Sequence, residues 1–152
     1  MSNGPRCYVQ SRKEEQSMAN NDVILNKVAT IERCLKRIHE EYAGNPENLK
    51  DYTKQDSIIL NIQRVCEASI DLAMHIVSEK KLGLPKASRD AFKFLQDAKI
   101  IDSALAKTLM NMVGFRNIAV HDYQAIKLDI LQAIIEQHLG DFTTFSTIIL
   151  KK

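Results

Sequence analysis

The sequence is poor in residues that make tight turns, with five glycines and three prolines among 152 residues, and it has no tryptophan. A fold of many short strands needs a turn signal every few positions, so this composition disfavours an all-β architecture. A chain of this length is nevertheless long enough to bury a sizeable core as one domain. Few turns in one domain predict a small number of long helices.

Long apolar runs are also missing. No stretch approaches the roughly 18–20 apolar residues of a membrane span, and the N-terminus lacks the apolar centre of a signal peptide. The three cysteines, Cys7, Cys34 and Cys66, have no C-x-x-C spacing. Cys34 and Cys66 fall beside apolar helical stripes and are predicted to be reduced core residues. We therefore expect a cytoplasmic protein.

A strong excess of charge is absent as well, because the formal net charge is only +2. That value is not a nucleic-acid signature, so a phosphate-bearing partner would have to be attracted by a local cluster. The densest basic stretch comprises Lys80, Lys81, Lys86, Arg89 and Lys93. It is interpreted first as a solubilising surface, and second as a surface that follows an RNA backbone or meets an acidic partner.

The first 17 residues, MSNGPRCYVQSRKEEQS, show no hydrophobic period and mix glycine, proline and charge. Met18 then offers a second plausible start. We interpret residues 1–17 as a flexible extension, an upstream start or a remnant of cloning, and residues 18–152 as the domain.

From residue 22 onward, apolar residues recur every three or four positions, the period of an amphipathic α-helix. Predicted helices run over 22–42, 49–81, a short segment from 88, a segment from 102, and 125–139, with 142–150 extending the last. Asp22, Ser88 and Asp102 are the predicted N-caps. The broad apolar arc of the second helix predicts a central position, so we expect an all-α bundle of four or five helices.

One segment breaks the regular pattern. Residues 116–123, RNIAVHDY, place a guanidinium, an amide, an imidazole, a carboxylate and a phenol within eight positions. Arg116 and Tyr123 continue the apolar stripe of the fourth helix, since seven residues turn about 700° and return within roughly 20° of the start. A buried guanidinium without a partner is very costly, which predicts a polar cleft or a second subunit here.

His121 does not share the face of Arg116, because five residues turn about 500° and leave the two side chains roughly 140° apart. Three explanations remain open: a distorted helix near Gly114 or Asp122, an Arg116 side chain that reaches round, or two protomers that share one groove. The spacing favours the third, a composite site in a homodimer.

These groups suit metal-independent RNA cleavage, in which the ribose 2′-hydroxyl attacks its own phosphodiester. Histidine exchanges protons near neutral pH, arginine stabilises the phosphate charge, and asparagine orients either one. The alternative is a capped helix end in which Arg116 pairs with Asp122 and His121 packs on Tyr123.

The spacing R-x4-H-x-Y, present as Arg116, His121 and Tyr123, resembles the defining motif of HEPN domains. The ten-residue string GFRNIAVHDY at 114–123 resembles more closely the HepT toxin branch, small helical proteins encoded beside a minimal nucleotidyltransferase antitoxin (MNT). The resemblance covers about residues 22–150 in helix order and length.

The resemblance implies a toxin of a toxin–antitoxin system, an endoribonuclease acting as a homodimer. Arg116 and His121 would be the catalytic pair, supported by Asn117. Tyr123 would be the residue that the nucleotidyltransferase AMPylates to silence the toxin. The implied partners are RNA and that antitoxin, and no cofactor or metal is implied.

Two other interpretations remain. Glu67, Asp71 and His75 share one face of the second helix and are either metal ligands or, more often for such a stripe, solvated side chains. The alternative function is a non-catalytic module that binds nucleotides or the nucleotidyltransferase, with Arg116 holding phosphates.

Overall fold

A computed structural model describes residues 4–152, apart from the side chains of residues 4–10 and 17. This part of the chain is helical and contains no strand, which confirms the predicted all-α bundle. The elements are α1 (Gly4–Tyr42), α2 (Tyr52–Glu79), α3 (Ser88–Asp97), α4 (Ser103–His121), α5 (Leu128–Ala133) and α6 (Leu139–Leu150), with 3-10 turns at Pro46–Lys50 and Tyr123–Ala125 and a π turn at Ile134–His138.

Helix α2 lies at the centre of the bundle, in contact with α1, α3, α4 and α6. The broad apolar arc of α2 explains this central position, because its side chains are buried in the core. They include Ile58, Ile62, Leu72 and Ile76. Cys34 and Cys66 are buried free thiols, as predicted. No helix in residues 4–152 is long and apolar enough to span a lipid bilayer.

The first helix begins earlier than predicted, since α1 runs through Asp22, the expected N-cap, without interruption. Side chains 11–16 are all exposed, and from residue 11 onward the first buried apolar side chain that the structure describes is that of Val28. Residues 1–3 lie outside the described residues. The assignment of residues 1–17 as an extension to the domain stays a prediction.

Two further boundaries were predicted wrongly. Helix α2 begins at Tyr52 because the Asp51 carboxylate caps it, accepting from the backbone N–H of Lys54 at 3.0 Å. At α3 the cap position is Ala87, not Ser88, and the Asp90 carboxylate accepts from the backbone N–H of Ala87 at 3.0 Å. Short polar side chains decide helix starts here more than the apolar period does.

The last predicted helix starts at Leu128, three residues after the predicted position, and continues through Gly140 to Leu150. Extended backbone at Ile126 and Lys127 separates it from the 3-10 turn at Tyr123–Ala125. The π turn lies within this run, and Glu136 in that turn accepts a hydrogen bond from the Tyr42 hydroxyl at the end of α1.

Candidate active site

Helix α4 carries most of the candidate site. Its N-terminus is capped as predicted, because the Asp102 carboxylate accepts from the backbone N–H of Leu105 at 2.8 Å. The helix then runs without a break to His121. The predicted alternative of a helix distorted near Gly114 or Asp122 is therefore wrong, and a regular helix places positions 116 and 121 about 140° apart.

Arg116 is held against α2. Its Nε donates to Glu67 Oε1 at 3.3 Å, and its Nη1 donates to Asn117 Oδ1 at 3.2 Å. The same Glu67 oxygen accepts from Gln63 Nε2 at 3.0 Å. Arg116, at the end of the apolar stripe of α4, thus contacts the Glu67 carboxylate. The negative charge of Glu67 compensates the partly buried guanidinium. The expected alternative pair between Arg116 and Asp122 is wrong.

His121 lies on the opposite, solvent-facing part of α4, one turn after Asn117. Within the described part of the chain its ring makes no hydrogen bond and no ion pair. Asp122 ends the helix, with its backbone N–H donating to Ile118 O at 2.8 Å, and its carboxylate is exposed. The imidazole is therefore open to a substrate that approaches this face.

Tyr123 turns back toward α2 in the 3-10 turn that follows. Its hydroxyl donates a hydrogen bond to the Asp56 carboxylate near the start of α2. Partial burial, with the Asp56 hydrogen bond and charge as further causes, raises the pKa of Tyr123 to about 12. The phenol is therefore protonated at neutral pH, and its proton lies against a carboxylate.

The two carboxylates that hold the motif lie on one face of α2. Asp56 and Glu67 are eleven residues apart, a rotation of about 1100° that returns within roughly 20° of the start. Sequence reasoning missed Asp56 and the contact of Glu67 with Arg116. The sequence signal that could have identified both carboxylates was their spacing, which places them on one face of the helix predicted to be central.

The stripe Glu67, Asp71 and His75 does not converge on one point. Glu67 contacts Arg116, Asp71 forms an ion pair with Lys27 at 2.9 Å, and His75 lies 3.7 Å from Glu79. Among the described residues no group of three His, Cys, Asp or Glu side chains is arranged to hold a metal ion.

An apolar groove of about 450 Å³ adjoins the His121 face, between α4 and the run from α5 through the π turn. Ile118 and Ile130 line it while remaining 44% and 50% exposed, unusually open for such side chains. His138 also lines it and lies 3.4 Å from the Asp141 carboxylate. Exposed apolar surface of this kind marks interaction sites.

Comparisons with known proteins agree with this architecture. The family model described as "Ribonuclease HepT-like" matches residues 31–149. The mRNA nuclease HepT of Shewanella oneidensis is 50% identical over 129 residues, which cover 85% of this chain and 97% of that protein.

Two solved structures superpose closely. One is a toxin–antitoxin complex with AMP-PNP, 48% identical, with a TM-score of 0.82 and coverage of 86% of this chain and 99% of the other. The second is the tri-AMPylated Shewanella oneidensis HEPN toxin in complex with its MNT antitoxin, 49% identical, with a TM-score of 0.82 and coverage of 86% and 98%.

Proposed function

Because the chain belongs to the HepT-like ribonuclease family, we propose that it is the toxin of a toxin–antitoxin pair. It is an endoribonuclease that cleaves RNA and is neutralised by a nucleotidyltransferase antitoxin of the MNT type. The similarity to an mRNA nuclease and to toxins solved with their antitoxins supports this function. We place its action in the cytoplasm, where the buried thiols of Cys34 and Cys66 stay reduced.

The divergence of Arg116 and His121 on a regular helix carries the proposal for the catalytic unit. The Arg116 side chain is engaged by Glu67 and Asn117, so it does not reach round to His121. One protomer therefore does not bring both groups to one phosphate. Two protomers that face each other supply two copies of each group to a shared cleft.

The apolar groove beside His121 supports a second copy of the chain as the partner on this face. Covering Ile118 and Ile130 removes apolar surface from water, at about 25 cal/mol per Å² buried. A twofold arrangement about this face also brings two His121 rings toward each other. The active site is incomplete without that partner.

The cleavage step uses the ribose 2′-hydroxyl as nucleophile. One copy of His121 takes its proton while the 2′-oxygen bonds to the adjacent phosphorus. The bond from phosphorus to the 5′-oxygen breaks, and the other copy of His121 protonates that leaving oxygen. Arg116 stabilises the charge on the phosphate oxygens, and Asn117 orients Arg116. The products are a 2′,3′-cyclic phosphate and a 5′-hydroxyl, and DNA is spared because it lacks the 2′-hydroxyl.

Tyr123 is the proposed acceptor of AMP. Its oxygen bonds to the α-phosphorus of ATP, pyrophosphate leaves, and the phenol proton passes to Asp56, which already accepts its hydrogen bond. The adenylate adds negative charge beside the cleft and repels RNA phosphates.

RNA cleavage by the purified protein in EDTA tests the catalytic assignment. We expect the wild type to degrade single-stranded RNA and His121→Ala to lose activity by at least about 10²-fold, a typical acid–base contribution. His39→Ala, which changes a histidine on α1, is the matched control and retains activity. Intact RNA with the wild type would contradict the proposal, and tight binding of nucleotide or transferase would then favour the non-catalytic module.

Intact-mass measurement tests the regulatory assignment. Incubation with the cognate transferase and ATP adds mass in AMP units to the wild type and none to Tyr123→Phe. Tyr52→Phe, which alters a more exposed tyrosine on α2, accepts AMP as the wild type does. Unchanged labelling of Tyr123→Phe would exclude Tyr123 as the acceptor.

A further inference from the structure

A second polar groove, distinct from the apolar one, lies between α1 and α2 at the end nearest Tyr123. Its volume is about 370 Å³. Arg33 and Arg37 line it from successive turns of α1, and Arg64 lines it from α2. We refer to it as the arginine groove.

The arginine groove carries a net positive charge, because three arginines and one carboxylate, that of Asp56, line it. None of the three guanidinium groups makes a hydrogen bond or an ion pair with any residue that the structure describes. The acidic residue that lines the groove is Asp56, and its carboxylate is engaged by the Tyr123 hydroxyl. In a chain of net charge +2, three exposed arginines without a described partner at one place give a local positive potential.

The size and lining of the arginine groove fit the phosphate and ribose of a nucleotide. Guanidinium groups bind phosphate oxygens through paired hydrogen bonds. Leu60 lines the groove and is 42% exposed, which gives a base or ribose an apolar surface to lie on. The volume of about 370 Å³ lies within the range of small-ligand sites, while the lining is mostly polar, as suits a phosphate-bearing ligand.

Tyr123 connects the arginine groove to the candidate active site. Its hydroxyl oxygen contacts Asp56, a lining residue, so any group attached to that oxygen begins at the edge of the groove. A phosphate there is repelled by the Asp56 carboxylate and attracted by the arginines. Repulsion by Asp56 and attraction by the arginines together direct the phosphate into the arginine groove.

We propose that the arginine groove binds the phosphodiester groups of a nucleotide chain that passes Tyr123. Two sources supply this chemistry: the RNA strand in the unmodified protein and the tethered adenylate after modification. This inference rests on the proposed function for both ligands. The sources exclude each other, so the adenylate displaces the RNA strand from the groove as well as repelling it.

The RNA source is tested in the His121→Ala background, where the strand stays intact. Arg33→Gln, Arg37→Gln and Arg64→Gln are combined, and binding of a short fluorescein-labelled single-stranded RNA is followed by anisotropy. We expect about a tenfold or greater weakening, and a slope of log K against log salt smaller by about 2, because each phosphate contact on a single strand contributes about 0.7.

The adenylate source is tested on protein modified by the transferase. Intact mass first establishes that the wild type and the triple arginine variant carry AMP, and phosphodiesterase I is then added. We expect AMP to be released several-fold more slowly from the wild type than from the triple arginine variant, because the groove shields the phosphate.

A charge-matched control separates the groove from net charge. The combined variant Lys107→Gln, Lys151→Gln and Lys152→Gln removes three exposed positive charges elsewhere and leaves both readouts as in the wild type. If the melting temperature of the triple arginine variant differs from that of the wild type, both experiments are repeated with Arg64→Gln alone.

Each result then decides a separate point. Equal effects of the arginine and lysine variants in both arms would overturn the proposal. Absence of AMP on the wild type would contradict the proposed modification and remove the adenylate source, while the RNA arm still decides whether the groove binds phosphodiesters. Residual cleavage by His121→Ala would contradict the catalytic assignment and leave the binding result in place.

Discussion

At the scale of single residues, the chemistry of Tyr123 is set by a partner 67 positions away in the chain. Burial and the Asp56 carboxylate favour the protonated phenol. A carboxylate in this position can also receive the proton when the oxygen bonds to phosphorus. Asp56 is thus a positioning residue for the proposed acceptor atom, and the motif at 116–123 does not reveal this role.

Replacing Asp56 with asparagine should lower the pKa of Tyr123 from about 12 toward the ordinary value of 10.0, since charge repulsion between tyrosinate and carboxylate disappears. Tyrosinate absorbance measured against pH, as a difference from Tyr123→Phe, reports this single phenol. Asp51→Asn, which changes the carboxylate that caps α2, is the control. A difference titration identical to that of the wild type would contradict the assigned contact.

The same shift has a consequence for stability. The folded protein holds the Tyr123 proton more tightly than the unfolded chain, so this group stabilises the fold below pH 10 and its contribution is lost as the pH rises to about 12. The fall in unfolding free energy across that range should be smaller for Tyr123→Phe.

At the scale of elements, α2 acts as the platform for α4 and the turn that follows it. Glu67 receives Arg116 and Asp56 receives Tyr123, so both ends of the motif are fixed to one face of a central helix. This arrangement explains why a polar residue ends the apolar stripe of α4 without a buried, unpaired charge.

Glu67→Gln should reduce RNA cleavage by about tenfold or more, because small misplacements of a catalytic group are costly. Stability should change little, since a partly exposed ion pair contributes about 0–1 kcal/mol. Initial rates and melting curves separate the two effects. Asp71→Asn breaks a comparable pair with Lys27 one turn further along α2 and should leave the rates unchanged. Equal loss in both variants would argue against a specific role for Glu67.

The helices and the motif were predictable from the sequence because both depend on local spacing. The recurrence of apolar residues at every third or fourth position predicted the all-α class and the central place of α2. Asp102 predicted the start of α4. The tertiary contacts were not predictable. The arginine groove combines Arg33, Arg37 and Arg64 across two helices, while the densest basic stretch in the sequence, from Lys80 to Lys93, includes a Lys93–Asp97 ion pair.

At the scale of the whole molecule, the proposed site depends on a second copy of the chain. The exposed apolar groove beside His121 is the surface that such a copy would cover. None of residues 11–16 lines this groove.

Ile118→Arg should convert a dimer into a monomer and abolish cleavage, because a buried unpaired charge at the interface is strongly unfavourable. Light scattering after size exclusion gives the mass, and the RNA assay gives the activity. Leu84→Arg changes a side chain that is 91% exposed and should affect neither. A monomeric wild type with full activity would refute the shared cleft.

The Tyr123–Asp56 hydrogen bond has one more consequence. The proposed AMPylation of Tyr123 would replace the phenol O–H donor with an ester oxygen that has no proton, so Asp56 would lose its donor. The bond that latches the segment after α4 to α2 is then released, and amide hydrogen exchange in residues 123–127 should quicken. The proposed AMPylation of the Tyr123 oxygen would thus also remove a contact that holds the backbone after α4 against α2.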